Sequence, residues 1–307
     1  MPNRPDRRAL NILALGCLVL ACMLMGCDSS PTSAPADTIS APPDLSEPVR
    51  ELVFGVYTSD AATEMVKQFS PALDVLEVAL GEQLGERVKI SLKVASTYEG
   101  GVEDLTSGRV DFARMGPASY VMAKEISPGV RILAMESKKG SKTFNGVICV
   151  REGSDIESVA QLKGKRFAFG DARSTIGRFL AQELLVENGI RSENLEGFDY
   201  LGRHDKVGMA VGSGMYAAGA LKEGTFKKLV AAGEPIQVIA SFPNVTKPWI
   251  ARAGMAPELF DGLQKVLLAM DDEKALGALK KDGFLPGDDA DYDSIRSAIE
   301  ASHSFDS

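Results

Sequence analysis

The chain has 307 residues, 45% of them hydrophobic and 25% charged, a composition typical of soluble globular proteins with room for two domains. The formal net charge is −8, with 34 basic residues against 42 acidic ones. This balance argues against a nucleic-acid partner, because phosphate contacts need clustered Lys and Arg side chains.

The N-terminus has the pattern of an export signal. Three arginines precede an apolar run at residues 9–25, and small Gly26 follows it. The sequence Leu24-Met25-Gly26-Cys27 resembles the bacterial lipobox, which implies a signal peptide over residues 1–26 and lipidation of Cys27. An uncleaved membrane helix is the alternative interpretation of the same run. Asp28 resembles the inner-membrane retention signal of Gram-negative lipoproteins. We therefore expect the rest of the chain to work outside the cytoplasm, anchored to a membrane.

Residues 27–49 predict the lipidated cysteine followed by a disordered tether, because Ser, Pro, Ala, Thr and Asp dominate this segment. Beyond the tether, strand and helix patterns alternate. Strands are predicted at 52–57, 88–94, 110–113, 130–135 and 144–150, and helices at 63–84, around 101–107 and at 117–126. Pro71 lies inside the first helical pattern and predicts a kink or a restart there.

The alternation starts again after residue 151. Helices are predicted at 154–162, 174–188 and 205–211, and strands at 166–170, 215–218 and 236–240. Gly189 is expected to end the long helix, and the tail 257–302 is mostly helical with an interruption at 283–287. This order indicates an α/β fold of two lobes, each a mainly parallel sheet flanked by helices. With crossings near 146–150 and 236–243, the first lobe comprises 50–145 plus 241–307, and the second lobe comprises 146–240.

The segment Gly170 to Gly177 is the sharpest candidate site. It follows a predicted strand and opens a predicted helix, so unpaired N–H groups and the helix dipole favour an anion there. Ser174 and Thr175 add hydroxyl donors, and Gly177 is expected to let the backbone come close to a ligand. Such a site needs no lysine. The alternative is that Ser174 only caps the helix.

Residues 51–285 resemble the phosphonate-binding family of periplasmic solute-binding proteins, which serve ABC importers. The resemblance rests on Tyr98, on the segment Gly108–Pro117 with Tyr120, on Gly170–Gly177, and on His204 ahead of Ala210 and Val211. It implies a type II periplasmic-binding-protein fold, with two α/β lobes joined by two crossing strands that close over a ligand. It also implies that Ser174, Thr175, His204 and Tyr98 contact the oxyanion.

The full set of expected ligand contacts is Ser174, Thr175, Ile176, Gly177, His204, Tyr98, Tyr57, Met115, Gly116 and Glu223. Three positions depart from the family pattern. Ile176 stands where a third hydroxyl is common, Met115 replaces an aromatic residue, and Tyr216 replaces an aspartate. Glu223 aligns only loosely with an acidic residue that meets the amine of aminoalkyl phosphonates.

The resulting expectation is a monomeric, lipid-anchored protein that captures phosphonate, phosphate or phosphite for an ABC permease. The alternative is a sensor subunit of the same fold that reports to a membrane histidine kinase or receptor. An enzyme is not expected, because the chain has no G-x-S-x-G elbow, no metal-spaced histidine set and no cysteine–histidine pairing. No cofactor or metal is expected either. Cys149 lies in an apolar run and is predicted to be a buried thiol.

Overall fold

The computed structural model describes residues 49–58 and 62–307, so the predicted signal peptide, Cys27 and most of the tether lie outside the described residues. Within these described residues, eleven strands form two sheets: β1 (Val49–Tyr57), β2 (Arg87–Ala95), β3 (Phe112–Arg114), β4 (Arg131–Ser137), β5 (Thr143–Arg151), β6 (Arg166–Phe169), β7 (Gly197–Tyr200), β8 (Ala218–Lys222), β9 (Ile236–Val245), β10 (Pro248–Ala251) and β11 (Gly283–Leu285). Among the described residues, no helix is both long enough and apolar enough to cross a membrane.

The six-stranded sheet of the first lobe has the order β11-β4-β10-β3-β1-β2. Strands β1 to β4 share one direction, because β2 and β3 pair parallel with β1 while β3 and β4 both pair antiparallel with β10. The expectation of a mainly parallel sheet is thus confirmed for strand direction. The hydrogen-bond ladder is nevertheless mixed, since β10 returns from the second lobe and inserts between β3 and β4.

The five-stranded sheet of the second lobe has the order β7-β6-β8-β5-β9. Strand β5 is antiparallel to both neighbours, whereas β6, β7 and β8 pair parallel with one another. The chain enters this lobe between β4 and β5 and leaves it between β9 and β10. The two crossing strands expected from the family fold therefore lie side by side. The lobe boundaries stay predictions.

The α-helices are α1 (Ala62–Leu84), α2 (Tyr98–Thr106), α3 (Pro117–Ile126), α4 (Leu180–Glu187), α5 (His204–Gly212), α6 (Glu223–Ala231), α7 (Pro257–Ala269), α8 (Glu273–Leu279) and α9 (Asp293–His303). Helix α1 runs through Pro71 without a restart. The helix predicted at 154–162 is wrong except for a 3₁₀ turn, Val159–Leu162, which the Ser158 and Gln161 capping box starts late. The strand predicted at 215–218 is also misplaced, because Gly214 has a φ of 80° and the turn extends to residue 217.

Aromatic side chains hold each lobe together. Trp249 of β10 is fully buried in the first lobe, and its ring stacks on Phe54 with centroids 4.6 Å apart. In the second lobe Phe169 meets Phe305 edge-to-face at 5.5 Å, so the segment after α9 packs on this lobe. Helix α9 also packs against α4 and α3. The C-terminal segment therefore contacts both lobes.

Candidate functional site

A small cavity of about 20 Å³ lies where the N-terminal end of α3 in the first lobe faces the helical segment after β6 in the second. A cavity of this size holds about one water molecule, so the two lobes are nearly closed on this space in the structure. Its lining combines aromatic rings, hydroxyls and cationic side chains: Tyr57, Tyr98, Gly116, Pro117, Phe144, Ser174, Thr175, Ile176, His204, Lys222, Asn244 and Lys247.

The hydroxyls of Ser174 and Thr175 are buried at this cavity, with residue exposures of 3% and 5%. Ser174 Oγ accepts a hydrogen bond from Gly177 N at 3.0 Å, which is the helix-capping role predicted as the alternative. Thr175 Oγ1 accepts from Ala118 N at 2.9 Å. A hydroxyl that accepts a backbone N–H keeps its own proton for donation, so capping and ligand binding are compatible here.

The helix behind these hydroxyls begins differently from the prediction. Its first turn, Thr175–Phe179, is π-helical, and α4 starts only at Leu180. Gly170 N donates to Gly177 O at 2.8 Å, and a Cβ on Gly177 would lie 2.8 Å from the Gly170 Cα. Gly177 is therefore required for contact with the preceding strand. It does not line the cavity, which corrects the expectation that its small size serves ligand approach.

Tyr57 and Tyr98 form one wall, with stacked rings whose centroids are 4.1 Å apart. The Tyr57 hydroxyl accepts a hydrogen bond from Gly116 N at 2.5 Å and lies 3.0 Å from Ser119 Oγ. Burial raises the pKa of Tyr57, so the phenol stays protonated. A Cβ on Gly116 would lie 2.8 Å from the Tyr57 hydroxyl oxygen. Tyr57 thus positions the N-terminus of α3 at the cavity.

His204 opens α5 and is 5% exposed. Its Nδ1 atom is buried and has no hydrogen-bond partner within residues 49–58 and 62–307. Burial lowers its pKa well below the ordinary value, and the positive charges of Lys222 and Lys247 lower it further. The imidazole is therefore neutral at pH 7. An unpartnered buried nitrogen is costly, so this position calls for a ligand or a water molecule.

Two lysines that the sequence prediction missed line the cavity. Lys222 ends β8, and Lys247 lies in the crossing between β9 and β10 with an exposure of 8%. The lining thus includes two lysines, whereas the sequence predicted an anion site that needs none. The available sequence signal was the position of each lysine. Lys222 ends a strand, and Lys247 lies in the segment that crosses between the lobes. No sequence motif marks either residue.

Glu136 lies beside Lys247 but belongs to another ion pair. It is fully buried, with Oε1 at 2.7 Å from Arg114 Nε and Oε2 at 3.1 Å from Lys281 Nζ. Burial alone would raise the pKa of Glu136, but Arg114 and Lys281 lower it to about 2. This carboxylate is therefore ionised; it pairs directly with Arg114 and Lys281 and also attracts the nearby Lys247.

Three expected contacts do not line the cavity: Gly177, Met115 and Glu223. Met115 is buried in the core beside it. Glu223 begins α6 and pairs with Lys227 at 2.6 Å on the helix surface, so it offers no acceptor to a ligand amine in this cavity.

Ile176 does line the cavity, and its Cγ2 would lie 2.8 Å from a Cβ on Gly146. Tyr216 does not line the cavity; its hydroxyl donates a hydrogen bond to Asp199 Oδ2 at 2.8 Å.

Comparison with known proteins agrees with this geometry. A family model described as the periplasmic substrate-binding protein of phosphonate ABC transporters matches residues 54–292. The phosphate-import protein PhnD of Mycolicibacterium smegmatis is 24% identical over 280 residues, covering 80% of this chain and 84% of the relative.

Solved structures show the same fold. XAC2383 from Xanthomonas citri, bound to a chloride ion, superposes with a TM-score of 0.70 at 24% identity, over 82% of this chain and 97% of its own. PhnD1 from Prochlorococcus marinus, in complex with methylphosphonate, gives 0.69 at 20% identity, over 83% and 99%. This is the type II periplasmic-binding-protein fold predicted above. The chain belongs to the family of periplasmic phosphonate-binding proteins of ABC transporters, non-enzymatic carriers that work outside the cytoplasm.

Proposed function

We propose that the protein captures a small phosphorus oxyanion, either a phosphonate, phosphate or phosphite, in the cavity between its lobes and delivers it to the permease of an ABC importer. The observation that carries this proposal is the chemistry of the lining. Two hydroxyls, a neutral histidine and two lysines surround the space, and the described residues that line it include no Asp or Glu. Such a set complements a tetrahedral anion.

Names of similar proteins support the same ligand class. The Mycolicibacterium relative is named for phosphate import, and the Prochlorococcus structure contains methylphosphonate. A further curated protein from Prochlorococcus, 24% identical over 201 residues, is named as a probable phosphite-binding protein. All three ligands present tetrahedral phosphorus with several anionic oxygens, which is the part that the hydroxyls and the helix N-terminus would hold.

Closure of the lobes supplies the mechanism. The hydrogen bond from Ala118 N to Thr175 Oγ1 joins α3 of the first lobe to the helical turn of the second. Arg173 and Glu99 form an ion pair of 2.8 Å between the same two lobes. A ligand that contacts both lobes stabilises the closed form over the open one, and the permease can read that difference.

Membrane attachment through a lipid on Cys27 completes the proposal. The segment from Asp28 to Pro48 would act as a tether, reaching on the order of 60 Å if extended. Replacement of Cys27 by Ser should release the protein into the soluble extracytoplasmic fraction. If deletion of this protein leaves uptake of the ligand by the cells unchanged, transport is the wrong function and the sensor alternative gains support.

Calorimetric titration tests ligand capture. The full-length protein, purified in detergent and dialysed to remove carried-over ligand, is titrated with phosphate, phosphite, methylphosphonate, 2-aminoethylphosphonate and sulfate. We expect at least one phosphorus compound to bind, and expect Ser174→Ala with Thr175→Ala to weaken it at least about a hundredfold. Ser297→Ala, on the exposed surface of α9, is the matched control. Retained affinity in the double variant would exclude these hydroxyls from the site.

A further inference from the structure

Arg178 belongs to the π-helical turn of the candidate site, but it is not among the described residues that line the cavity. Its guanidinium group makes contacts in three directions. Nη1 donates a hydrogen bond to Ala172 O at 2.9 Å, and Nε donates to Gln182 Oε1 at 3.1 Å. Nη2 lies 3.5 Å from Asp306 Oδ2. One side chain thus joins the loop before the two hydroxyls, the helix after them and the C-terminal segment.

The backbone that carries the hydroxyls is irregular on both sides of Ser174. After it, Arg178 N and Phe179 N both donate to Ser174 O, at 3.0 and 3.2 Å, and the second of these bonds has the i→i+5 spacing of a π-helix. Before it, residues 170–173 form a loop in which Ser174 N donates to Asp171 O at 2.9 Å. Because Ala172 lies only two residues before Ser174, a hydrogen bond at Ala172 O constrains the backbone that directs the hydroxyls.

The bond to Gln182 fixes the other side of the guanidinium group. Gln182 is fully buried in α4, and its Nε2 donates to the Tyr200 hydroxyl at 3.1 Å while its Oε1 accepts from Arg178. The Arg178 side chain is itself only 23% exposed. A hydrogen bond between a charged group and a buried partner is stronger than an exposed neutral one. Arg178 is therefore held in place by the helix that follows the site.

The C-terminal segment brings a third partner to the same group. Phe305 is fully buried, and its ring centroid lies 5.5 Å from that of Phe169 and 5.4 Å from that of Phe198. Its neighbour Asp306 is thereby placed beside Arg178. The Asp306 side chain is half exposed, so this ion pair adds little by itself. The two hydrogen bonds of Arg178 therefore matter most for the placement of the turn.

We propose that Arg178 is a positioning residue for the oxyanion site. It holds the loop and the π-helical turn so that the hydroxyls of Ser174 and Thr175 face the cavity, and it does not contact the ligand. This inference rests on the proposed function. It requires arginine and not merely a positive charge, because the contacts with Ala172 and Gln182 come from different nitrogens of one planar group.

Calorimetric titration of the full-length protein with phosphate and methylphosphonate separates position from charge. Arg178→Lys keeps the charge but loses the planar group, and Arg178→Met loses both. We expect both variants to weaken binding at least about tenfold and to a similar extent. Arg166→Met, at an exposed arginine of the same lobe, is the matched control and should stay within about threefold of the wild type. If Arg178→Lys binds as tightly as the wild type, only the charge matters and the inference is overturned.

A double-mutant cycle with Ser174→Ala distinguishes positioning from a general loss of stability. If Arg178 acts through the hydroxyls, Arg178→Met should weaken binding by no more than about threefold in the Ser174→Ala background. The same fold-change in both backgrounds would show that Arg178 acts independently of Ser174, which contradicts the proposal.

Hydrogen exchange of the unliganded protein supplies a test that needs no ligand. The amides of Ser174 and Gly177 donate to Asp171 O and Ser174 Oγ, and Arg178→Lys should speed their exchange relative to Arg166→Met. Unchanged exchange would show that the turn keeps its place without Arg178, and the inference would fail. If the wild type binds no phosphorus compound, the proposed function fails, while the exchange rates still decide whether Arg178 fixes the turn.

Discussion

The Thr175 hydroxyl should control both ligand affinity and lobe closure. It accepts a hydrogen bond from Ala118 N at 2.9 Å across the two lobes, and its own proton is available to the cavity. Thr175→Val keeps the shape of the side chain and removes both functions. In the closed form Ala118 is fully buried, so its N–H would lack an acceptor.

The expected cost follows from these two losses. A buried N–H without a partner costs about 1–3 kcal/mol, and a lost hydrogen bond to a charged ligand costs about 1.5–3 kcal/mol. Because one hydroxyl serves both contacts, we expect a combined loss of about 2–4 kcal/mol in binding free energy, or roughly 30-fold to 1000-fold in Kd. The unliganded protein should keep its melting temperature, since water can reach the Ala118 N–H when the lobes open.

Titration calorimetry with methylphosphonate and phosphate measures this loss, and Thr175→Ser is the matched control. Serine retains the hydroxyl, so its affinity should stay within about threefold of the wild type. The reasoning is refuted if Thr175→Val binds as tightly as the wild type. It is also refuted if Thr175→Ser, which loses only the methyl group, weakens binding as much as Thr175→Val, which loses only the hydroxyl.

Two further variants test the histidine and the buried carboxylate. His204→Ala should weaken oxyanion binding at least about tenfold, because the variant loses the imidazole at the cavity. His303→Ala, at the exposed end of α9, should leave binding unchanged. If calorimetry finds the same affinity for His204→Ala as for the wild type, His204 is not part of the site. Glu136→Gln should lower the free energy of unfolding on the order of 3 kcal/mol at pH 7, because the folded-state pKa of about 2 lies below the ordinary 4.5. A depressed carboxyl pKa stabilises the fold above the unfolded pKa and loses this effect as the pH falls toward 2. Thermal unfolding of wild type and variant should therefore converge between about pH 4.5 and pH 2, with Glu125→Gln as the exposed control. A constant difference at every pH would contradict the assignment.

Local sequence predicted much of the architecture correctly. Helix α3 begins and ends at the predicted residues, 117 and 126, because Pro117 suits a first helical position. Gly189, with a φ of 68°, ends the helix that contains α4, as its sequence position predicts. The buried thiol of Cys149 also agrees with its apolar surroundings in the chain. These features depend on neighbours within a few residues, which a sequence pattern can represent.

The sequence predicted the hydroxyls of the candidate site but not its lysines. Ser174 and Thr175 could be found because one strand and one helix position them. Lys222 and Lys247 could not, because they are 25 positions apart and meet only through the order of β5, β8 and β9 in the sheet. The adjacent residues Lys222 and Glu223 show the limit clearly, since one lines the cavity and the other pairs on the surface of α6.

Local periodicity, capping and motif order were thus enough to predict the two α/β lobes, the helix-capping hydroxyls and the family resemblance. The charge of the cavity could be read only from the folded chain. That charge depends on which strand ends converge and which carboxylates are already paired, as Glu136 is with Arg114. Convergence is set by sheet topology and by burial against distant residues, and neither is encoded in the spacing of neighbouring side chains.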